Sequence, residues 1–306
     1  MRLSQMRRSL AALVVAVLFA GCGGGFSGGG DSVTIVGQKF PEADIMTQLY
    51  KGLLDDAGFD TKVKNLGTRD IYLKPLQSGE VQVSADYLAS MTETLNKDAN
   101  GEDAEPVASP DAAATLKELR TLGEEVGLTP LKPAKAVDAN AYAVTKEFAT
   151  ENHLRTLSDL GKLKQPISLA ANSDCKQRRD CAKGLTEVYG IEISKIEPLG
   201  FGSPETKTAL AKGEVELGQV GTTDATLDGL GLVLLEDDKS LQNAENLIPI
   251  VNTAWLEKNP KAKDALDKLS DVLTTEDLTM MIAKVSTQRE RASEVAAAYL
   301  KNKGLV

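Results

Sequence analysis

The sequence predicts an α/β fold made of two lobes, with a ligand cleft between them. Strand-like apolar runs alternate with helices of 3.6-residue period from residue 32 onward, and this alternation begins again near residue 138. A final stretch of strands and helices follows. We therefore expect lobe 1 at 32–137 and 233–306, with lobe 2 inserted at 138–232. Ligands favour such domain interfaces.

Composition and charge limit the class of protein. The 306 residues are 42% apolar and 26% charged, which is typical of a folded protein with core enough for two domains. The net charge of −9 argues against nucleic acid or an anionic membrane surface as the main partner, because both attract basic patches.

The N-terminus resembles the signal of bacterial lipoproteins. A basic start is followed by a short apolar segment and by small residues before Cys22. We expect residues 1–21 to be the signal peptide, Cys22 to be lipidated, and the Gly-rich segment 22–31 to be a flexible tether. Phe19 departs from the usual pattern, and an ordinary secretory signal cut elsewhere is the alternative. Either way, we expect an extracytoplasmic protein, which Cys22 would anchor to the cell membrane.

The remaining two cysteines suggest a disulfide. Exported proteins keep disulfides, and Cys175 and Cys181 would close a short loop. A metal site is the alternative, but the chain has one histidine, His153, and no CxxC motif. We expect neither a metal nor a cofactor.

Several elements can be assigned in the first lobe. The residues predict strands at 33–36 and 61–65, helices ending near 57 and 77, and a strand within the stretch 79–90 that runs into a loop. Because ligands sit beyond the carboxyl ends of strands in open α/β sheets, that loop is a candidate binding position. A polar segment at 96–110 predicts an exposed loop.

Motifs for catalysis are missing from the sequence. It contains no GxSxG elbow, HExxH motif or P-loop, and no GxGxxG that follows a strand and opens a helix. A binding protein is therefore favoured over an enzyme. An exported enzyme on the same scaffold and a ligand-sensing module remain the alternatives.

Several segments together resemble one family of binding proteins. VGQKFPEADIMTQLY, LGTRDIY, GEVQVSADYLAS, ANAYAV and GTTDATL occur in the same order as in the substrate-binding proteins of ABC importers for glycine betaine, carnitine and choline. The resemblance covers nearly all of residues 33–252. It implies a type II periplasmic-binding-protein fold that closes on its solute like a flytrap. It also implies a monomer that delivers this solute to ABC permease subunits in the membrane.

The resemblance also implies ligand-binding residues. In the family, tyrosines form a cage around a quaternary ammonium, whose positive charge is attracted by aromatic faces. One cage tyrosine falls on Tyr87, a polar ligand residue falls on Ser90, and a second cage tyrosine falls on Tyr142.

Two cage positions depart from the family pattern. Gly221 and Lys207 stand where tyrosines are expected, so the solute is either of the glycine betaine class or a related compound without a quaternary ammonium. Lys207 would either point away or bind a ligand carboxylate. Phe40 and Phe201, at loop positions, are candidate substitutes for the lost rings, with a place in the core as the alternative for each. Four further candidates follow predicted strands or begin a helix whose N–H groups could receive an anion: Thr222, Thr223, Asp224 and Thr68.

Overall fold

A computed structural model describes residues 32–306 of the protein, which form two five-stranded sheets covered by helices. The predicted signal peptide, the tether and the lipidation site at Cys22 lie outside the described residues. The α/β class and the division into two lobes are confirmed.

The N-terminal part of the described chain forms most of lobe 1. Its strands and helices alternate as β1 Ser32–Gly37, α1 Pro41–Asp56, β2 Asp60–Asn65, α2 Arg69–Ser78, β3 Val83–Tyr87, α3 Leu88–Asn100, α4 Ala112–Glu125 and β4 Leu128–Pro130.

The chain then crosses to lobe 2. This lobe contains β5 Asn140–Thr145, α5 Lys146–Glu151, α6 Leu157–Lys162, β6 Pro166–Ala170, α7 Ala182–Tyr189, β7 Glu192–Glu197, α8 Pro204–Ala211, β8 Leu217–Gly221 and β9 Leu232–Leu235.

The C-terminal part of the chain returns to lobe 1. It consists of β10 Leu247–Asn252, α9 Thr253–Lys258, α10 Lys261–Val272, α11 Thr275–Ser286 and α12 Ala292–Asn302.

The two sheets share one arrangement. The first has the order β2-β1-β3-β10-β4 and the second has the order β7-β6-β8-β5-β9. In each sheet the first three strands are parallel and the fourth is antiparallel to its neighbours. The parallel strands therefore end at the same edge of each sheet, which is where ligands bind in open α/β folds.

Two crossover segments join the lobes and pair with each other. Val137 and Asn246 form an isolated antiparallel bridge. The Asp138 N–H next to it donates to the Glu245 carbonyl oxygen at 3.1 Å. The predicted return to lobe 1 at residue 233 is too early, because β9 pairs with β5 in the second sheet. The apolar residues 232–235 predict a strand but not the sheet to which it belongs, because that depends on the strand with which it pairs.

The core of lobe 1 forms where α1 packs on the sheet and on the C-terminal helices. Ile45, Leu49 and Leu53 repeat at helical spacing and are buried against β1 and α12. Leu266 and Leu300 come from the C-terminal part of the chain and belong to the same core. Lobe 1 therefore depends on packing between the two ends of the described chain.

Two elements differ from the sequence-based expectation. The predicted loop after Tyr87 is helix α3, because Leu88, Met91 and Leu95 form a buried stripe at helical spacing. The exposed loop consequently begins at Gly101 rather than at residue 96. Strand β7 is an element that the sequence-based expectation lacks, since its two glutamates and one lysine leave only two isoleucines as an apolar signal.

Cys175 and Cys181 are paired in lobe 2, with Cα atoms 5.3 Å apart. Both side chains are buried in the core that α7 covers. Over residues 32–306, no helix has the length and the apolar character that a membrane span requires.

Candidate functional site

The candidate site is a cavity of about 310 Å³ that residues from both lobes line. Lobe 1 contributes the start of α1 and part of α11, and lobe 2 contributes Phe201, the first turns of α8 and the residues after β8. This volume lies at the small end of the range for small-molecule sites.

The Phe201 side chain projects from a rigid turn. Gly200 and Gly202 on either side have φ values of +97° and +54°, which favour glycine. The Phe201 N–H donates to the Asn172 side-chain oxygen at 2.9 Å, and the Gly202 N–H donates to the Gln219 carbonyl oxygen at 2.9 Å. The turn is thus bound to β8 and to the residues that follow β6, while Phe201 stays 43% exposed at the cavity.

The start of α1 supplies an aromatic ring and a carboxyl group. Phe40 precedes the helix, Pro41 occupies its first turn, and Glu42 follows with only 4% exposure. The Phe40 ring stacks on Tyr87 with centroids 6.4 Å apart, and the Tyr87 hydroxyl donates to Glu42 Oε1 at 2.6 Å. The end of β3 therefore holds the first turn of α1 in place.

Glu42 meets a second carboxyl group, that of Asp138, at the entry to lobe 2. The Thr223 hydroxyl donates to Asp138 Oδ1 at 2.9 Å. Burial raises the pKa of Glu42 to about 8, and the negative charge of Asp138 adds to this shift. Burial also raises the pKa of Asp138. Two neighbouring carboxyl groups make this part of the cavity suited to a cation.

Lys207 has a partner within its own lobe. Its Nζ donates to Asp224 Oδ2 at 2.9 Å and to the Thr226 hydroxyl at 2.8 Å. The side chains of Lys207 and Asp224 are 14% and 13% exposed, so the pair is largely screened from water. An ammonium group has three N–H donors, and two of them are used here.

Gly221 leaves room for two of the lining groups. A Cβ atom at this position would lie 3.4 Å from Asp138 Oδ1 and 3.5 Å from Phe201 Cζ. A tyrosine at 221 would need the space beside Phe201 and Asp138. Phe201 thus lies beside the position at which a side chain on residue 221 would begin.

A family model described as the substrate-binding domain of the ABC-type glycine betaine transport system matches residues 31–302. The chain belongs to this family. It is therefore the substrate-binding component of an ABC transport system, and its family consists of extracytoplasmic binding proteins.

Individual relatives are distant but nearly full-length. The chain is 25% identical to the glycine-betaine-binding protein of Pseudomonas aeruginosa, over 98% of this chain and 96% of the relative. It is 24% identical to the carnitine transport binding protein OpuCC of Listeria monocytogenes, over 88% of this chain and 86% of the relative.

A solved structure shares the fold. The crystal structure of a glycine betaine/carnitine/choline ABC transporter protein matches with a TM-score of 0.77 and 21% identity, over 90% of this chain and 99% of the other. The expected type II periplasmic-binding-protein fold is thereby confirmed.

The structure brings several of the predicted residues of this binding protein together. Phe40, Lys207, Thr223 and Asp224 all line the cavity, as does the substitute ring of Phe201. Tyr87 lies one layer behind, since its hydroxyl is used by Glu42 and its side chain is 8% exposed. Direct contact between Tyr87 and a ligand stays a prediction.

Tyr142 lies away from this cavity. Its ring is 1% exposed and belongs to the core on the α7 side of the second sheet, and its hydroxyl donates to the Asp180 carbonyl oxygen at 2.8 Å. Side chains alternate along a strand, so Ala141 and Ala143 face α8 and Tyr142 faces the opposite side. Tyr142 is therefore not among the residues that line this cavity, and its contact with a ligand stays a prediction.

Three other candidates also lie elsewhere. The Ser90 hydroxyl donates to Glu245 Oε1 at 2.7 Å, and the Thr222 hydroxyl donates to the Val137 carbonyl oxygen at 2.8 Å. Thr68 is exposed at the start of α2 and is not among the lining residues. Ser90 and Thr222 instead fasten the crossover segments that join the lobes.

Sequence reasoning missed the two carboxyl groups. Their positions in the sequence could have indicated them. Glu42 follows the carboxyl end of β1, and Asp138 lies at the predicted boundary between the lobes. Neither residue is remarkable alone, because only the fold brings them together. Among residues 32–306, no group of three or more His, Cys, Asp or Glu side chains is arranged to hold a metal.

The raised pKa of Glu42 predicts a pH dependence of stability. Between its ordinary value of 4.5 and about 8, the folded chain holds a proton that the unfolded chain releases. The free energy of unfolding of the ligand-free protein should therefore fall as pH rises through this interval, by at most about 1.4 kcal/mol per pH unit from this group. Asp138 and Glu245, whose pKa values are also raised by burial, act in the same direction.

Urea unfolding of Glu42→Gln at several pH values between 5 and 8 measures the effect, because glutamine stays neutral throughout. Its free energy of unfolding should depend less on pH than that of the parent chain. Glu124→Gln, which removes an exposed carboxyl group from α4, is the matched control. An equal slope in the parent and in Glu42→Gln would contradict the prediction.

Proposed function

We propose that this protein captures a small cationic or zwitterionic solute of osmolyte type and delivers it to ABC permease subunits. The solute belongs to the class of glycine betaine, choline and carnitine, or is a related compound. The observation that carries the proposal is a cavity between the lobes that combines two exposed aromatic rings with two carboxyl groups.

The position of the cavity supports capture by closure of the lobes. A ligand that touches Phe40 and Glu42 in lobe 1 and Phe201 and Asp224 in lobe 2 interacts best when the lobes are together. Such a ligand stabilises the closed form through its higher affinity for that form, and the closed form is what a permease can distinguish.

The ring faces and the carboxyl groups favour a cation. Aromatic faces attract positive charge, and Phe40 and Phe201 are 37% and 43% exposed at the cavity. The names of the relatives from Pseudomonas aeruginosa and Listeria monocytogenes, which refer to glycine betaine and carnitine, support the same ligand class.

Lys207 favours a ligand that also carries a carboxylate. Its ammonium group has one N–H donor beyond those that bind Asp224 and Thr226, and it lines the cavity. A zwitterion would place its cation near Glu42 and Asp138 and its carboxylate near Lys207.

An extracytoplasmic monomer anchored through Cys22 fits this role. The lipoprotein-like start of the sequence supports the anchor, and the paired Cys175 and Cys181 suit a compartment in which disulfides persist. The Gly-rich segment 22–31 would let the two lobes stand off the membrane.

Lys207→Met should separate ligands with a carboxylate from those without one. Loss of a charge-assisted hydrogen bond should weaken glycine betaine binding by about tenfold or more. Choline has no carboxylate, so its affinity should stay the same or rise. Isothermal titration calorimetry with both ligands measures the difference.

A matched control is Lys146→Met, which removes a lysine of lobe 2 that pairs with Asp228 on the surface. It should change neither affinity. If Lys207→Met weakened choline and glycine betaine equally, the assignment of the ligand carboxylate to Lys207 would be wrong.

The mass of the mature chain tests the location. In bacterial cells, the parent protein should fractionate with membranes and carry a lipid mass on an N-terminal Cys22, whereas Cys22→Ser should lose both properties. Reduction should add two hydrogens through Cys175 and Cys181. An unmodified mature chain that begins at another residue would refute the anchor.

A further inference from the structure

Two carboxyl groups connect the lobes inside the cleft. Glu42 belongs to the first turn of α1 in lobe 1, where the Tyr87 hydroxyl donates to its Oε1 atom at 2.6 Å. Asp138 lies at the entry to lobe 2, where the Thr223 hydroxyl donates to its Oδ1 atom at 2.9 Å. The two carboxyl groups lie within hydrogen-bonding distance of each other. We call Glu42 and Asp138 together the carboxyl pair.

A shared proton completes the hydrogen bonds of the carboxyl pair. Glu42 Oε2 is fully buried, and no group of residues 32–306 outside the pair donates a hydrogen bond to it. The one hydrogen of the Thr223 hydroxyl goes to Asp138. Because buried polar atoms are almost always hydrogen-bonded, a proton between Glu42 and Asp138 supplies the missing bond.

The other charged side chains around the carboxyl pair are matched with each other. In lobe 1, Asp86 lies behind Tyr87 and pairs with Arg69. In lobe 2, Lys207 pairs with Asp224 across the cavity. The part of α11 that lines the cavity adds no charge. These neighbours leave no cation unpaired, so two ionised carboxylates in the carboxyl pair would repel each other.

Two further acidic residues lie near the carboxyl pair but face other partners. Asp44, in the same turn of α1, accepts from the Asn65 side chain at 2.9 Å. Glu245, in the second crossover, accepts from the Ser90 hydroxyl at 2.7 Å. Neither carboxyl group joins one lobe to the other as the carboxyl pair does.

We propose that the shared proton holds the two lobes together in the ligand-free protein and that its loss lets them separate. Repulsion in the ionised carboxyl pair acts between α1 of lobe 1 and the part of lobe 2 that Thr223 fixes. A hinge motion at the crossovers would relieve this repulsion. The inference adds control of lobe closure by pH to the proposed function, and it does not depend on the identity of the solute.

The direction of the pH dependence follows from burial. Burial favours the protonated form and raises the pKa of Glu42 to about 8, and the negative charge of Asp138 adds to this shift. The proton is therefore present below about pH 8 and is lost as pH rises through this value. The ligand-free lobes should be together in neutral solution and apart in alkaline solution.

X-ray scattering of the ligand-free protein at pH 6 and at pH 9.5 tests this control. The radius of gyration should be larger at pH 9.5, with the change centred near pH 8. Two variants keep a hydrogen bond in the pair without the shared proton. Glu42→Gln can donate its amide to Asp138, and Asp138→Asn can donate its amide to Glu42. Both variants should keep the radius that the parent has at pH 6.

The matched control is Glu124→Gln, on the exposed face of α4, which should open as the parent does. At pH 6 each variant should have the radius of the parent, which shows that its fold is kept. Equal radii of the parent at the two pH values would refute the inference. So would an opening of Glu42→Gln or Asp138→Asn as large as that of the parent. Either result leaves the proposed function standing, because the measurement uses no solute.

Discussion

The proposed preference of this cleft for a cation depends on two carboxyl groups that share a buried position. Glu42 is brought there by the first turn of α1, and Asp138 by the crossover that enters lobe 2. Both carry raised pKa values because burial disfavours their charged forms. A proton or a nearby cation offsets the cost of burying two acidic groups together, and this arrangement arises only where the two lobes meet.

A third buried acidic residue, Asp86, lies behind the cleft and stabilises it. Asp86 accepts from Arg69 Nη2 at 2.5 Å, from the Tyr72 hydroxyl at 2.7 Å and from the Tyr87 N–H at 2.8 Å. A buried charge with a complete set of donors is tolerated, whereas one that loses its partner is strongly destabilising. These contacts fix the end of β3, and the Tyr87 hydroxyl can then reach Glu42.

The sequence predicted the parts of the fold that depend on local patterns. Strand and helix alternation, the inserted lobe and the loop positions of Phe40, Phe201, Thr223 and Asp224 all follow from periodicity and from a family resemblance. It could not predict which side of β5 faces the cavity, so only the structure shows that Tyr142 belongs to the core of lobe 2. The meeting of Glu42 with Asp138 joins residues 96 positions apart in sequence, so it depends on packing between the lobes rather than on any local pattern.

Proton release on binding is the most direct test of the shared carboxyl site. Calorimetry at pH 7 in phosphate and in Tris, with glycine betaine as the ligand, measures the number of protons exchanged. Because the pKa of Glu42 is about 8, a cation that displaces its proton should release roughly one proton per ligand, and Glu42→Gln should release none. A binding enthalpy that is the same in both buffers would contradict the account.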